Sequence, residues 1–401
     1  MVVQSYECAY NNMKIGIISD LNLSTVNYGN NLQAFALNHY LKSRYAVDCV
    51  HSIALKGKGQ WKRTGIFSIG FIKKAYSAVL KRLRPKSDIK NFDKGIVTER
   101  LEYFRLFREE YFPNGVVEMA CEDLRNADYD LMIAGSDVVW LQLPHQINAI
   151  KFFDFSMQKP FKRISYAASF GRDYIPKENI RYVRKYLKKF DAISVREHSS
   201  VAMLNSIGIS EVSYCLDPTL LLMRNEWEQI EDKPAAVDND EKYIFVYLLG
   251  QDVQQRKDIA AFSQKMGLKI VSIPNTLGKL AEADGALGGT QISACSIENW
   301  LWLIHHAQYM ITDSFHGVVF STIFHKKFVV LNRYSQSGYD INNRMLDYLR
   351  EIDQLDKSIT SGELANIKDL EWDYQRINSA IEVRRKSSVE FLDRAIGEIN
   401  D

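Results

Sequence analysis

Cysteine is scarce in this 401-residue chain, and its placement argues against disulfide or zinc chemistry. The five cysteines are odd in number, scattered, and form no C-x-x-C pair. They are Cys8, Cys49, Cys121, Cys215 and Cys295. This usage is typical of a reducing compartment, so the sequence favours a cytoplasmic protein without disulfides or a structural zinc site.

Long hydrophobic runs and a strong charge bias are also missing. No window holds 18 uncharged apolar residues, so we expect no membrane-spanning helix. Residues 1–12 are polar and unlike a signal peptide, and Met13 fits a natural start because the regular pattern begins at MKIGIISD. The net charge of +2 gives no general field for nucleic acid, and we expect no such partner.

What is present is a globular composition with alternating strand and helix patterns. The chain is 46% hydrophobic and 25% charged, and it is too long for one ordinary core. The alternation runs on both sides of a polar, acidic stretch at 224–242, the best linker candidate. Strands that alternate with helices indicate parallel sheets. The sequence therefore predicts an α/β protein with two Rossmann-like domains facing each other across a cleft.

The pattern divides the chain into three segments. Residues 13–225 are predicted to form the first Rossmann-like domain, residues 240–350 the second, and residues 351–401 a helical tail. Residues 56–90 break the alternation, because they carry eleven Lys or Arg against one Asp with apolar residues interleaved. A basic amphipathic helix is typical of contact with an anionic membrane surface, and the alternative is a solvated helix that covers a domain.

Polar residues stand where a buried strand becomes a helix in YMITDSFHGVVFSTIFHKKFVVLN, residues 309–332. Such junctions lie at the carboxyl ends of strands, where open α/β sheets bind ligands. The free N–H groups of a helix start attract anions. A phosphate or carboxylate ligand is therefore expected at this junction.

Five motifs together resemble the polysaccharide pyruvyl transferases. They are NYGNNLQAFAL (27–37), AGSDVVW (134–140), ISYAASFG (164–171), SVREHSSVAML with a later DPTLL (194–221), and TDSFHGVVFS with a downstream Asn343 and Arg344. The resemblance implies a GT-B-like arrangement with the active site in the interdomain cleft. It also implies transfer of the enolpyruvyl group of phosphoenolpyruvate to a sugar, usually as a cyclic ketal, with release of phosphate. A polyprenyl-diphosphate-linked acceptor would place the protein at the inner membrane face.

This reaction requires an acid, a base for the sugar hydroxyls and a clamp for a multiply charged anion. We expect His316 to bind phosphate or move a proton, and Asp313 to orient His316 or to cap the helix. Asp137 is the candidate base for the acceptor hydroxyl. The candidate substrate-binding residues are Arg196, Ser314, Gly317, Asn27, Gly29, Asn30, Ser136 and Arg344.

Specific contacts are expected from some of these residues. The guanidinium of Arg196 matches a carboxylate or phosphate in two-point contact, and Arg344 offers a second anion contact or a salt bridge. Gly317 and Gly29 permit close approach to the backbone. For Asp217 we favour a structural Asp-Pro turn.

No electron or hydride moves in the implied reaction, and no cluster stands at metal-ligand spacing. We therefore expect no metal and no cofactor, with phosphoenolpyruvate as a substrate. Two alternatives stay open. One is a GT-B glycosyltransferase that uses a nucleotide sugar, and the other is a non-catalytic scaffold that binds glycan or lipid.

Overall fold

The structure is a computed structural model. It describes residues 13–56, 94–141, 143, 149–238, 240–274, 282–333 and 342–397. Apart from Lys56, the basic segment predicted at 56–90 lies outside these residues.

The first seven strands form one parallel sheet. They are β1 (Lys14–Ile18), β2 (Cys49–Lys56), β3 (Val116–Ala120), β4 (Leu131–Ala134), β5 (Lys162–Ala168), β6 (Ala192–Val195) and β7 (Val212–Tyr214). Their spatial order is β3-β2-β1-β4-β5-β6-β7, and every neighbouring pair is parallel. This is the Rossmann strand order with one strand added, so the winding reverses between β1 and β4.

The later strands form a second parallel sheet of the same kind. They are β8 (Tyr243–Tyr247), β9 (Lys269–Ser272), β10 (Thr290–Gln291), β11 (Tyr309–Thr312), β12 (Phe328–Leu331) and β13 (Ser358–Ile359). Their order is β10-β9-β8-β11-β12-β13, again with parallel pairs. The winding reverses between β8 and β11. The predicted α/β fold with two Rossmann-like domains is confirmed.

Helices connect the strands and cover the sheets. Within the described residues they are α1 (Tyr28–Arg44), α2 (Lys94–Tyr111), α3 (Lys177–Leu187), α4 (His198–Ser206), α5 (Arg224–Glu228), α6 (Val253–Met266), α7 (Ile297–His306), α8 (Phe315–Ile323), α9 (Asn343–Glu351) and α10 (Tyr374–Gly397). Side-chain caps begin several of them: the Asn27, Asp252 and Ser296 side chains accept backbone N–H bonds in the first turn. No helix in this part of the chain combines the length and apolar character needed to cross a bilayer.

One hydrophobic core continues from the first domain into the second. Tyr28 of α1 stacks on Trp300 of α7 with ring centroids 5.6 Å apart, and its hydroxyl donates to the Cys295 carbonyl at 2.8 Å. The buried Arg100 of α2 donates to the Pro274 carbonyl at 2.6 Å. These contacts hold the carboxyl edges of the two sheets in a fixed relation, which positions residues from both domains around one site.

The long helix α10 also joins the domains. Its Ile377 and Ile381 belong to the shared core, whereas Phe391 and Leu392 pack in the core beneath β1. The helix therefore crosses from the second domain back to the first.

Several elements differ from the sequence pattern. The strand β7 ends at Tyr214, before the DPTLL motif, because Asp217 caps a short 3-10 helix, Pro218–Leu220. The acidic stretch 224–242 contains α5, whose Trp227 is fully buried, so this stretch is packed rather than a free linker. The strands β2 and β3 were not predicted, and the burial of β3 is intermediate throughout except for one exposed residue, without a clear alternation.

We expect Tyr28→Phe to lower the free energy of unfolding by about 1–3 kcal/mol, because the buried Cys295 carbonyl loses its donor. Chemical denaturation measures the change. Tyr174→Phe is the matched control, since Tyr174 is 48% exposed, and it should leave the free energy of unfolding unchanged.

Candidate active site

A cavity of about 160 Å³ lies between the carboxyl ends of strands from both sheets. The first domain contributes Asp20, Asn27, Gly29, Asp137 and Val138, and the second contributes Tyr247, Leu249, Trp300, Ser314, Phe315, His316, Arg333 and Arg344. Most of these residues follow β1, β4, β8 or β11, where the winding of each sheet reverses. Open α/β sheets bind their ligands at such switch points.

Six of the predicted site residues line this cavity: Asn27, Gly29, Asp137, Ser314, His316 and Arg344. Five others lie behind its wall: Asn30, Ser136, Arg196, Asp313 and Gly317. A larger cavity of about 460 Å³, between α10 and the end of α8, contains none of the predicted site residues. The chemistry therefore belongs to the smaller cavity.

His316 lies in the first turn of α8 and packs against the start of α1. Ser314 caps α8, because its side chain accepts from the Gly317 N–H at 3.4 Å. A Cβ built on Gly29 would lie only 2.1 Å from His316 Nδ1. Glycine at this position lets the α1 backbone approach the imidazole, so the NYG and SFHG motifs meet in space.

Asp217 is the carboxylate that faces His316. Its Oδ1 accepts from the Thr219 N–H and hydroxyl at 3.1 and 2.8 Å, as an Asp-Pro turn requires. Its Oδ2 lies 3.6 Å from His316 Nε2 and 2.9 Å from Arg196 Nη1. Burial raises the pKa of the Asp217 carboxyl, but the neighbouring His316 and Arg196 lower it by more, so the net pKa lies well below its ordinary value. Asp217 is thus both a turn residue and an ionised partner for the histidine.

Arg196 is buried behind the cavity wall. Its guanidinium bonds Asp217, pairs with Glu197 at 3.2 Å, and stacks over the Phe315 ring at 4.3 Å. The sequence predicted that Arg196 binds a ligand anion directly. In the structure, most of its N–H donors face carboxylates of the protein. Arg196 is therefore positioned to hold the Asp217 carboxylate, which in turn faces the His316 ring.

Asp137 connects the two domains at the cavity. One oxygen accepts from the Asn30 side-chain amide, and the other lies 3.6 Å from Arg196 Nη1 and 3.8 Å from Arg344 Nη1. Its backbone is left-handed, with φ 58°, which is rare for a residue other than glycine. Strain of this kind persists only where surrounding contacts hold it, and here the Asp137 carbonyl accepts from the Ser169 N–H at 3.0 Å.

Asp313 and Gly317 have structural roles that the sequence did not predict. The Asp313 carboxylate accepts from the Leu249 and Gly250 N–H groups at 2.6 and 2.7 Å, so it ties β11 to the end of β8. The structure places Asp217 rather than Asp313 beside His316, and Ser314 rather than Asp313 at the helix cap. A Cβ on Gly317 would lie 2.6 Å from Thr312 Oγ1, so that glycine serves helix packing and not ligand approach.

The sequence assigned no binding or catalytic role to three ionisable residues at or beside the cavity: Asp20, Asp217 and Arg333. Arg333 stands two residues after β12, at the same sheet edge as His316, and this position was the available signal. Asp20 likewise follows β1, two residues after the strand. Asp217 was recognised as a motif residue, but its role in the turn gave no indication that its second oxygen faces His316.

Buried nitrogen atoms without hydrogen-bond partners surround the cavity. Among the described residues they include Arg333 Nε and Arg344 Nε, whose side chains line the cavity, and Arg196 Nη2 behind its wall. Burial and the adjacent Arg196 lower the pKa of Arg344 to about 10. A buried guanidinium disfavoured in this way gains from a bound anion, and unpaired buried donors require an acceptor. The cavity is therefore built for an anionic ligand.

A group of side chains that could share a cation lies elsewhere. Within the described part of the chain it consists of Glu231, His305 and His306. His305 Nδ1 lies 2.9 Å from Glu231, and its Nε2 lies 2.9 Å from an Arg224 nitrogen. These residues precede β8 and β11, at the sheet edge opposite the cavity. Both ring nitrogens of His305 already have partners, so the group fits an ion-pair network.

Comparison with known families decides the relationship. The sequence profile described as polysaccharide pyruvyl transferase matches residues 27–335. This chain belongs to the polysaccharide pyruvyl transferase family. The family is one of transferases in polysaccharide biosynthesis, and the match includes the NYG and SFHG motifs that meet at the cavity. Among curated proteins no relative matches.

Solved structures similar to this pyruvyl transferase family member share little sequence with it. UDP-GlcNAc 2-epimerase from Neisseria meningitidis bound to UDP-GlcNAc has 12% identity and a TM-score of 0.48, with 95% of this chain and 100% of that chain covered. S. aureus MnaA with UDP has 11% identity and a TM-score of 0.49, with 97% and 98% covered. E. coli heptosyltransferase WaaC with ADP-2-deoxy-2-fluoro heptose has 11% identity and a TM-score of 0.37, with 81% and 91% covered.

We expect Gly29→Ala to reduce activity strongly, because its methyl group would displace the His316 ring. Initial rates of phosphate release and a thermal melt measure the effect on activity and on folding. Gly362→Ala is the matched control, since nothing lies within 4 Å of a Cβ there. A Gly29→Ala protein with the rate of the parent would contradict the close packing of α1 on His316.

Proposed function

We propose that the protein transfers the enolpyruvyl group of phosphoenolpyruvate to a sugar, forms a cyclic pyruvate ketal and releases phosphate. Membership of the pyruvyl transferase family supports the reaction class and the sugar acceptor. The observation that carries the choice of donor is the pair of guanidinium groups on Arg333 and Arg344, whose buried Nε atoms lack a hydrogen-bond partner beside one small cavity. Phosphoenolpyruvate offers a carboxylate and a phosphate to these groups.

In this proposal, Arg333 and Arg344 bind the two anionic groups of the donor, and the start of α8 adds backbone N–H groups. His316, held beside Asp217, donates a proton to the methylene carbon of phosphoenolpyruvate. The second carbon becomes electron-deficient and is attacked by a sugar hydroxyl. Phosphate then leaves, and the second hydroxyl closes the ring.

The size of the cavity favours this donor over a nucleotide sugar. Its volume is about 160 Å³, whereas pockets for drug-sized ligands span roughly 300–1,000 Å³. A three-carbon phosphate fits the smaller space. The presence of His316, Asp217 and the arginines together also argues against a non-catalytic scaffold.

Thermal melting with candidate donors tests the proposal. Phosphoenolpyruvate should raise the melting temperature, because a ligand that binds only the folded state stabilises it by about 2.7 kcal/mol at 100 times its Kd. UDP-sugars should have no effect, and inorganic phosphate should have a smaller one. Stabilisation by a UDP-sugar without any by phosphoenolpyruvate would favour the glycosyltransferase alternative.

We also propose that the acceptor is carried on a polyprenyl diphosphate, with the basic segment at 56–90 against an anionic leaflet. Each Lys or Arg near such a surface contributes about 1 kcal/mol. The protein should sediment with anionic vesicles at low salt and be released at high salt. Changing Lys73, Lys74, Lys81 and Arg82 to Glu should abolish sedimentation, and a charge-reversed protein that still sediments would contradict the proposal.

A further inference from the structure

Asp20 is a carboxylate at the cavity to which neither the family motifs nor the sequence pattern assigns a role. It stands two residues after β1, at the switch point of the first sheet, and it lines the cavity together with Asp137. Its Oδ1 pairs with Lys151 Nζ, from a short 3-10 helix, Ala149–Phe152. Its Oδ2 accepts no hydrogen bond from the described residues. One carboxylate oxygen thus remains available in the cavity.

The other carboxylates around the cavity are engaged at both oxygens. Asp137 accepts from Asn30 with one oxygen and faces two guanidinium groups with the other. Asp217 accepts from the Thr219 N–H with Oδ1 and from the Arg196 guanidinium with Oδ2. Asp313 accepts two backbone N–H groups. Of these four carboxylates, only Asp20 therefore has an oxygen free to accept a hydrogen bond from a hydroxyl that enters the cavity.

The surroundings of Asp20 also suit proton transfer. Burial raises the pKa of Asp20, Lys151 lowers it, and the negative charge of Asp137 raises it, with a net pKa above the ordinary value. Across the cavity stand His316, Arg333 and Arg344. A carboxylate with a raised pKa is a stronger base than an ordinary aspartate while it remains ionised.

We propose that Asp20 is the general base that accepts the proton of the attacking acceptor hydroxyl, and that Lys151 is a positioning residue that holds its carboxylate. The inference rests on the proposed function, and it transfers to Asp20 the role that the sequence suggested for Asp137. Asp137 instead positions Asn30 and the arginines.

The proton balance closes with these groups. The acceptor O–H bond breaks as its oxygen bonds the second carbon of phosphoenolpyruvate, and the proton passes to Asp20 Oδ2. The electron pair of the C=C bond takes the proton that His316 donates to the methylene carbon. The C–O bond to phosphate then breaks, with the electron pair going to phosphate, and the second hydroxyl closes the ketal. Its proton restores His316, and Asp20 passes its own proton to the departing phosphate.

The isosteric variant Asp20→Asn tests the assignment, with Asp128→Asn at the opposite edge of the same sheet as matched control. We expect kcat to fall by about 10²–10⁴-fold, with the thermal shift by phosphoenolpyruvate retained. In the parent protein kcat should fall at low pH as Asp20 becomes protonated, and this acidic limb of the pH profile should disappear in the variant. A kcat within twofold of the parent would overturn the proposal, as would an unchanged acidic limb.

Lys151→Met tests the assignment in a second way, through the pH dependence of kcat. A purely structural role of Lys151 would leave that pH dependence unchanged. Loss of the ammonium group should shift the acidic limb to higher pH, because Lys151 lowers the pKa of Asp20. A limb that stays in place would count against the Asp20 assignment. Failure of the proposed function itself would look different: the parent protein would show neither stabilisation by phosphoenolpyruvate nor release of its phosphate.

Discussion

The His316→Gln variant is expected to lose about 10²–10⁴-fold in kcat while retaining its fold. Glutamine keeps a polar side chain of similar reach, but it cannot deliver a proton near neutral pH. The buried position of His316 against Gly29, beside the ionised Asp217, gives the imidazole a fixed orientation in the cavity. Steady-state phosphate release under saturating donor measures the loss.

His306→Gln provides the matched control for this variant. His306 is exposed, stacks on Trp302 and lies at the opposite edge of the second sheet, so its replacement should leave kcat unchanged. A His316→Gln protein that turns over like the parent would remove His316 from the chemistry.

Asp217→Asn should show a smaller loss of kcat than His316→Gln, because it removes the ionised partner of the histidine and not the proton donor.

Arg344→Met is expected to weaken donor binding by about 10–100-fold without lowering the stability of the ligand-free protein. A hydrogen bond to a charged group contributes about 1.5–3 kcal/mol, and a factor of ten corresponds to about 1.4 kcal/mol. Burial and Arg196 disfavour the Arg344 charge in the empty site, as its pKa of about 10 indicates. Removing that charge therefore relieves a repulsion in the free protein.

Titration calorimetry with phosphoenolpyruvate and thermal melts of the ligand-free protein measure the two effects. Arg350→Met, in the same helix α9, is the control, because Arg350 is exposed and pairs with Asp347 at 3.1 Å. Unchanged donor affinity in Arg344→Met would show that the cavity binds its anion through other groups.

Much of the site could be predicted because its residues stand at strand-to-helix junctions. Ser314 and His316 follow an apolar strand and begin a helix, and Asn27 caps another helix whose first turn contains Gly29, so local patterns were sufficient. Parallel sheets bring such junctions to one edge, which is how motifs far apart in sequence meet at one cavity.

The remaining residues depend on packing that no local pattern contains. Asp313 has the sequence context of a cap, but the ends of β8 and β11 lie side by side and direct its carboxylate to the Leu249 and Gly250 N–H groups. Asp217 fits a turn, and only the folded chain shows its second oxygen facing His316 and Arg196. Asp20 carries no motif, and its pairing with Lys151 is a tertiary contact.

Mass spectrometry of the acceptor tests the central claim most directly. Free and lipid-linked sugars are incubated with the protein and either phosphoenolpyruvate or a UDP-sugar, and the released phosphate is measured in parallel. We predict that one acceptor gains the mass of one pyruvate less one water, with one phosphate released for each ketal formed. An acceptor that gains a sugar residue from the UDP-sugar, while phosphoenolpyruvate stays intact, would contradict the account.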